Sequence, residues 1–128
     1  VYRRDVLKKY RDYVGTRADF PLRDFKARNS AATEAVGYGK TLMGMHAVRQ
    51  RIGDADFRAG LRRFYRDNRG RRAGFTDLEA AFAAASGEDL ARLFTELVTR
   101  TGVPELAVSD VRVAAAGAGQ VVTGTLRQ

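Results

Sequence analysis

The stretch of sequence that decides the fold is TEAVGYGKTLMGMHAVRQRIG, residues 33–53. Its apolar residues follow helical spacing but are spread widely around the helix axis: Val36, Leu42, Met43, Met45, Val48 and Ile52. This pattern predicts a central helix from about Thr33 or Glu34 to Ile52, buried on more than one side. Thr33 is the predicted N-cap, because its hydroxyl can accept a hydrogen bond from an orphan backbone N–H. Gly53 is predicted to end the helix.

Glycines in the first half of this helix are unusual, since each costs about 1 kcal/mol relative to alanine. Gly37 and Gly44 lie seven residues apart, and therefore on one face. We expect them to let another backbone approach closely.

The segment before the central helix is predicted to be a first helix followed by an ordered loop. Val1 to Val14 has helical apolar spacing, and Gly15 can adopt the left-handed C-cap conformation that ends it. Residues 16–32 are predicted to form a loop, anchored to the core by Phe20, Leu22 and Phe25.

A third helix is predicted immediately after Gly53. Asp54 is its expected N-cap, and it covers residues 55–68. Its predicted buried stripe follows the i, i+3, i+4, i+7, i+8 pattern and consists of Phe57, Gly60, Leu61, Phe64 and Tyr65.

Two more helices complete the predicted five-helix, bundle-like lobe. Thr76 and Glu79 form an S/T-x-x-E capping box that opens the fourth helix, and Gly87 ends it. Gly102 and Pro104 close the fifth. Their predicted buried stripes are Leu78, Ala81, Phe82 and Ala85, and then Leu90, Leu93, Phe94, Leu97 and Val98.

After Pro104 the period of the apolar residues changes, and two strands flanking the Ala-Gly-Ala-Gly run at 116–119 are predicted to form a β-hairpin. The fold class is therefore mainly α with a C-terminal β-hairpin. A two-stranded hairpin alone is marginally stable, so we expect it to belong to a larger sheet. The predicted domain division is 1–103 for the helical lobe and 104–128 for the hairpin, as the start of a following β domain.

Composition narrows the function classes. The chain has 128 residues and no cysteine, which excludes a disulfide scaffold and a cysteine-based zinc site. It has 23 Lys and Arg against 15 Asp and Glu, a net charge of +8, so nucleic acid or another polyanion is the first partner to consider. No apolar run approaches the length of a membrane span.

The residues that could carry chemistry are few. His46 is the only histidine, and it is predicted to be a partly buried, hydrogen-bonded helix residue rather than a metal ligand. Residues 37–41 are not a phosphate-binding loop, because they lack the G-x-x-x-x-G-K-[ST] spacing and no strand precedes them.

The segment 58–72 holds seven Arg against one Asp. It is typical of a solvated helix face, and the aromatic residues Phe57, Phe64 and Tyr65 are predicted to be buried, not available to stack on bases. The alternative is a basic helical module that binds nucleic acid or another polyanion through Arg62, Arg66 and Arg69.

Taken in order, several segments resemble the aminopeptidase N-type zinc metallopeptidases. They are Val36 to Lys40, Arg51 to Phe57, Gly60 to Tyr65, Thr76 to Leu78, Ala85 to Leu90 and Arg100 to Leu106. The resemblance covers roughly residues 1–108 and is to the part of the catalytic domain that follows the zinc-binding helices. It implies that the chain is the helical half of a thermolysin-like catalytic domain.

The resemblance also implies a reaction, which is zinc-dependent hydrolysis of peptides with release of N-terminal residues. In that family the zinc is held by H-E-x-x-H and a later Glu, and a tyrosine in a Tyr-x-Lys-Gly context stabilises the tetrahedral intermediate. Tyr38 matches that tyrosine, and its phenol would donate a hydrogen bond to the developing oxyanion. The neighbouring glycines are expected to leave room for substrate and for packing.

This sequence departs from the family pattern at three points. It has no H-E-x-x-H, Thr41 stands where Gly usually follows the Lys, and Leu97 stands where a Trp is common. The zinc ligands are therefore expected upstream in a longer protein. That zinc-binding part and the peptide substrate are the expected partners, and nucleic acid is not. Alone, the chain is expected to hold no zinc and to be inactive.

Overall fold

The central helix organises the fold of the computed structural model, which describes residues 2–15, 18–102 and 105–127. The helices are α1 (Tyr2–Tyr13), α2 (Ala31–Glu34), α3 (Thr41–Asp67), α4 (Phe75–Ser86) and α5 (Ala91–Thr99), with a π-helical segment Ala35–Lys40 joining α2 to α3. A 3-10 turn, Leu22–Asp24, lies in the loop before α2, and the strands are β1 (Ala107–Ala116) and β2 (Gly119–Arg127). The predicted class, mainly α with a C-terminal antiparallel hairpin, is confirmed. Pro104, one of the residues predicted to close the last helix, lies outside the described residues.

The central helix begins three residues earlier than predicted. Ser30, not Thr33, is the N-cap, and its hydroxyl accepts a hydrogen bond from the Thr33 N–H at 3.1 Å. The Thr33 hydroxyl accepts the Ser30 N–H in return, at 2.9 Å. The two residues form a reciprocal capping box in which Thr33 has the role usually filled by Glu or Gln.

The predicted count of five separate helices is not confirmed, because the residues on both sides of Gly53 belong to one kinked element, α3. Gly53 itself is non-helical, with φ 81° and ψ 168°, so the regular helix is interrupted at the residue predicted to end it. Asp54 makes no capping hydrogen bond. Its carboxylate instead accepts two bonds of 2.6 Å from the Arg49 guanidinium, and this pairing lowers the pKa of Asp54.

The main core forms where α3, α4 and α5 meet. It consists of Val48, Ile52, Phe82, Leu90 and Phe94. The Phe57 and Phe82 rings stack with centroids 5.0 Å apart, and Phe82 fills the space beside Gly60. The predicted stripes of α4 and α5 are confirmed as the faces that pack here.

A smaller core cluster joins α1 to the start of the central helix. It consists of Val14, Ala35 and Val36, with Phe20 and Tyr10 packed against it. Leu22 is also buried, at 2% exposed, so the loop between the two helices is anchored as predicted. Gly15, at φ 52°, follows the end of α1 as predicted.

Two details predicted for α3 and α4 are wrong. Leu61 and Tyr65 are 41% and 69% exposed, so the apolar stripe of α3 is narrower than its spacing indicates. Helix α4 begins at Phe75, with Gly74 as N-cap. The carboxylate of Asp77 accepts the Gly74 N–H at 2.9 Å, which is the role that the sequence assigned to Glu79.

The hairpin is exposed along both strands. Val113 pairs with Val122 and Val108 with Leu126. Val122 and Leu126 lie four residues apart on β2 and therefore share a face, and an extra residue in β1 between Ser109 and Arg112 keeps their partners on that face. These four side chains, each at least 60% exposed, therefore form one apolar face. The predicted larger sheet stays a prediction.

No described helix combines the length and apolar character that a membrane span requires.

Replacing Gly60 by Ala should lower the free energy of unfolding by about 1–2 kcal/mol. A Cβ at this position would lie 2.4 Å from the Phe82 ring and 3.2 Å from the Phe82 Cα. Overpacking of about 1–3 kcal/mol then exceeds the gain in helix propensity of about 1 kcal/mol.

Urea unfolding of the variant measures this loss. Gln50→Ala, an exposed substitution on the same helix, is the control and should change stability by less than about 0.5 kcal/mol. A Gly60→Ala protein as stable as the wild type would mean that Phe82 does not occupy this space.

Candidate functional site

Tyr38 lies in the π-helical segment at the start of the central helix. Four residues of this segment are buried, namely Ala35, Val36, Gly37 and Gly39, whereas Tyr38 is 61% exposed. The wider turn of a π-helix is rare and occurs frequently at functional sites. It leaves the one polar aromatic side chain of the segment on the surface.

Thr41 closes the π-helical segment. Its hydroxyl donates a 2.6 Å hydrogen bond to the Gly37 carbonyl oxygen, four residues before it. This is the position at which the resembled family usually has Gly. The departure therefore adds a hydroxyl that bonds to the turn beneath Tyr38, a contact that often accompanies a bent helix.

Phe25 contacts Tyr38 from the loop before α2. The two ring centroids are 5.8 Å apart with an interplanar angle of 79°, an edge-to-face arrangement. Pairs of this kind contribute about 0.5–1.5 kcal/mol beyond the area that they bury.

The glycines that flank Tyr38 permit close packing within the chain, and the expected room for substrate stays a prediction. A Cβ on Gly37 would lie 2.2 Å from the Phe25 ring, and a Cβ on Gly39 would lie 3.1 Å from Val6 of α1. Both spaces are therefore filled from within the chain. At Gly44 the neighbour is the Leu97 side chain, and not a backbone as predicted.

Lys40 anchors the other end of the π-helical segment. Its ammonium donates a 2.6 Å hydrogen bond to the Arg100 carbonyl oxygen and lies 3.5 Å from the Asp19 carboxylate. The Lys40 and Asp19 side chains are 16% and 5% exposed. This ion pair is therefore largely shielded from water, and it joins the loop, the central helix and the end of α5.

Asp19 also binds α1 and the segment after α5. The Tyr10 hydroxyl donates to its Oδ2 at 2.8 Å, and the Gly102 N–H donates to the same atom. Burial, together with the bond to Asp19, raises the pKa of Tyr10 well above its ordinary value. We refer to Tyr10, Asp19, Lys40, Arg100 and Gly102 as the Asp19 network.

A groove of about 320 Å³ runs past Tyr38 between α1 and the central helix. It is lined by Tyr2, Asp5, Val6, Lys9, Glu34, Ala35, Tyr38 and Gly39. The Lys9 ammonium of α1 lies 3.2 Å from the carboxylate of Glu34 at the end of α2, so opposite charges are paired across the groove. The rest of the lining is mainly apolar, with the Asp5 carboxylate as the other charged group.

His46 is not part of this site. It is half-buried on the central helix, and its Nε2 lies 2.7 Å from an Arg3 guanidinium nitrogen, so it accepts a hydrogen bond there. The prediction of a partly buried, hydrogen-bonded histidine is confirmed. Across the described ranges, no cluster of three His, Cys, Asp or Glu side chains could hold a metal ion.

The arginines of 58–72 lie on the exposed side of α3 and the turn after it. Arg58, Arg63, Arg66 and Arg71 are within 4 Å of Asp carboxylates in exposed ion pairs. Solvent screens exposed pairs of this kind, so they add little to stability. Arg62 and Arg69 make no ion pair with the residues that the structure describes.

Sequence reasoning singled out Tyr38, whose catalytic role stays a prediction, but missed the residues that contact it. Phe25 was predicted only as a loop anchor, and Asp19 was not singled out. One signal was present, because Lys40 lies in a run of small and apolar residues, where a charged side chain needs a partner. The identity of that partner depends on tertiary contacts.

The chain has no significant match among protein-family models, curated proteins or solved structures.

Replacing Tyr10 by Phe should flatten the loss of stability at alkaline pH. The folded-state pKa of Tyr10 is raised, so its contribution is fully present below the ordinary tyrosine pKa of about 10 and is lost as pH rises above it. Deprotonation would remove the proton donated to Asp19 and bring two negative charges together.

Urea unfolding at several values between about pH 9 and pH 11, around the ordinary tyrosine pKa, tests this. Tyr13→Phe, at an exposed tyrosine on the same helix, is the control and should retain the wild-type slope. If Tyr10→Phe and the wild type lose stability in parallel, the hydrogen bond to Asp19 is not coupled to folding.

Proposed function

We propose that this chain is the helical half of a thermolysin-like catalytic domain in a zinc aminopeptidase of the aminopeptidase N type. The observation that carries the proposal is the setting of Tyr38. Its phenol is exposed on a π-helical segment, and that segment is fixed by Phe25 on one side and by Lys40 on the other. The ordered series of segments that resemble the family supports the same proposal.

In this function Tyr38 donates a hydrogen bond to the oxyanion that develops on the scissile carbonyl. A preorganised donor of this kind stabilises the transition state more than the ground state. The exposed phenol is free to make that bond, and the groove beside it gives an extended peptide access. The peptide substrate would lie in the groove between α1 and the central helix.

The described residues do not themselves fit a zinc site. Zinc would supply Lewis-acid chemistry from ligands in another part of the protein. The chain alone would bind no zinc and hydrolyse no peptide, and the contribution of its own residues is to position the oxyanion donor.

The hairpin fits the proposed division into a helical lobe, 1–103, and the start of a following β domain, 104–128. The apolar face of Val108, Val113, Val122 and Leu126 is exposed in the described chain. An amphipathic hairpin of this kind needs a partner surface, because two strands alone bury too little. Further strands of a β domain would provide it.

Tyr38→Phe in the zinc-bearing protein should lower kcat by about 10²–10³-fold, the usual effect of removing one oxyanion donor. Zinc content, measured by elemental analysis, should stay unchanged, because the tyrosine is not a ligand. The assay is hydrolysis of an aminoacyl p-nitroanilide.

Tyr13→Phe is the matched control, since it removes the phenol of another exposed tyrosine and should leave kcat unaltered. An unaltered kcat in Tyr38→Phe would remove Tyr38 from the mechanism. The absence of H-E-x-x-H and a later Glu upstream of residue 1 in the gene would overturn the proposed function as a whole.

The second candidate function is a basic module that binds nucleic acid or another polyanion through Arg62, Arg66 and Arg69. The observation that favours it is the exposure of Tyr65, at 69%, on the same helix as these arginines. An exposed aromatic ring among arginines can stack on a base. Arg66 is already paired with Asp67 at 2.8 Å, which reduces the charge that this surface offers.

Fluorescence anisotropy with a labelled DNA duplex tests this candidate between about 50 and 200 mM salt. If the chain is such a module, the double variant Arg62→Ala/Arg69→Ala should make the negative slope of log K against log salt shallower by about 2. Arg92→Ala, at an exposed arginine on α5, should not change the slope. No binding by the wild type at the lowest salt would eliminate this candidate.

A further inference from the structure

The orientation of the Tyr38 ring is not set by burial. Its side chain is mostly exposed, and it belongs to a π-helical turn that projects it outward. An oxyanion donor must nevertheless be held close to one geometry, because a displacement of about 1 Å can cost about 10²-fold in rate. Some neighbouring group must therefore restrict the ring.

Phe25 is the aromatic side chain in contact with it. The edge-to-face arrangement at 5.8 Å and 79° is a preferred one for two rings, because the positive edge of one meets the negative face of the other. A ring in this contact limits the rotation of its partner more than an aliphatic side chain of similar size would.

Phe25 is itself held on two sides. Its ring occupies the space beside Gly37, where three of its carbon atoms would lie 2.2–2.5 Å from a Cβ. Its backbone N–H donates to the Leu22 carbonyl at 3.1 Å, and Leu22 is buried at 2% exposed. Phe25 thus links the 3-10 turn at Leu22 to the Tyr38 ring, and the space beside Gly37 holds its own ring in place.

We propose that Phe25 is a positioning residue for Tyr38, and that the absence of a side chain at Gly37 creates the space that the Phe25 ring occupies. The proposal rests on the proposed function of Tyr38 for its catalytic consequence. The geometric part concerns this chain alone and is tested separately.

The geometric part is tested by ¹⁹F NMR of the full-length protein, with or without zinc, labelled with 3-fluorotyrosine. The Tyr38 signal is the one that disappears in Tyr38→Phe. Phe25→Leu, which keeps apolar volume but removes the ring, should shift this signal toward that of a solvent-exposed fluorotyrosine. Gly37→Ala should shift the Tyr38 signal in the same direction, because the added methyl group fills the space of the Phe25 ring while both aromatic residues are retained.

Phe75→Leu is the matched control. Phe75 packs against the main core of α3, α4 and α5 and not against the π-helical segment, so the Tyr38 signal should stay in place. A Tyr38 signal that is unmoved in both Phe25→Leu and Gly37→Ala would overturn the proposal.

The catalytic part is tested by the kcat of Phe25→Leu in two backgrounds. With Tyr38 present, kcat should fall about tenfold, as expected for a misplaced catalytic group, while KM changes little. In the Tyr38→Phe background the same substitution should have no further effect, because nothing remains to be positioned.

An equal loss of kcat in both backgrounds would show a general structural role and overturn the proposal. If Tyr38→Phe itself leaves kcat unchanged, the proposed function fails. The ¹⁹F shift then still decides whether Phe25 orients Tyr38.

Discussion

The largely buried ion pair between Lys40 and Asp19 is the interaction on which the arrangement of this chain depends. A shielded ammonium is stable only if its charge is paired and its protons are bonded. Lys40 meets this requirement with the Asp19 carboxylate and the Arg100 carbonyl. Removing one member of a buried pair costs about 3–5 kcal/mol. The Asp19 network therefore holds four segments together, namely α1, the loop after it, the end of the π-helical turn and the end of α5.

The helical run from Ala31 to Asp67, which comprises α2, the π-helical segment and α3, is packed by side chains that lie beside three of its glycines. Phe25 lies beside Gly37, Leu97 beside Gly44 and Phe82 beside Gly60. Each glycine costs about 1 kcal/mol in helix propensity, and each creates a gap that a ring or an isobutyl group fills. Leu97 stands where the resembled family commonly has Trp, and the gap beside Gly44 receives this smaller side chain.

Regular features of the fold could be predicted from the sequence because they depend on local pattern. The stripes of α4 and α5 and the hairpin at 116–119 follow directly from apolar spacing and glycine placement. The start of the central helix was missed because Thr33 can serve as either partner of a capping box, and only the geometry distinguishes them. Helix periodicity likewise cannot indicate that Leu61 and Tyr65 are left uncovered.

The candidate site was predictable only in part. Tyr38 came from a resemblance in sequence, and no periodicity distinguishes a π-helical turn of six residues from the start of an α-helix. The contacts that define its setting join residues far apart in the chain, such as Lys40 with Arg100 and Tyr38 with Phe25. They depend on how the loop and α5 pack, which local sequence patterns do not encode.

The measurement that tests the central claim most directly is a crystal structure of the zinc-bearing protein with a phosphinic peptide, whose tetrahedral group imitates the transition state. We predict that the Tyr38 phenolic oxygen lies within about 2.5–3.0 Å of a phosphinate oxygen. We also expect Phe25 to stay in edge-to-face contact with the tyrosine ring. A Tyr38 hydroxyl that points into solvent, with the phosphinic group bound elsewhere, would contradict it.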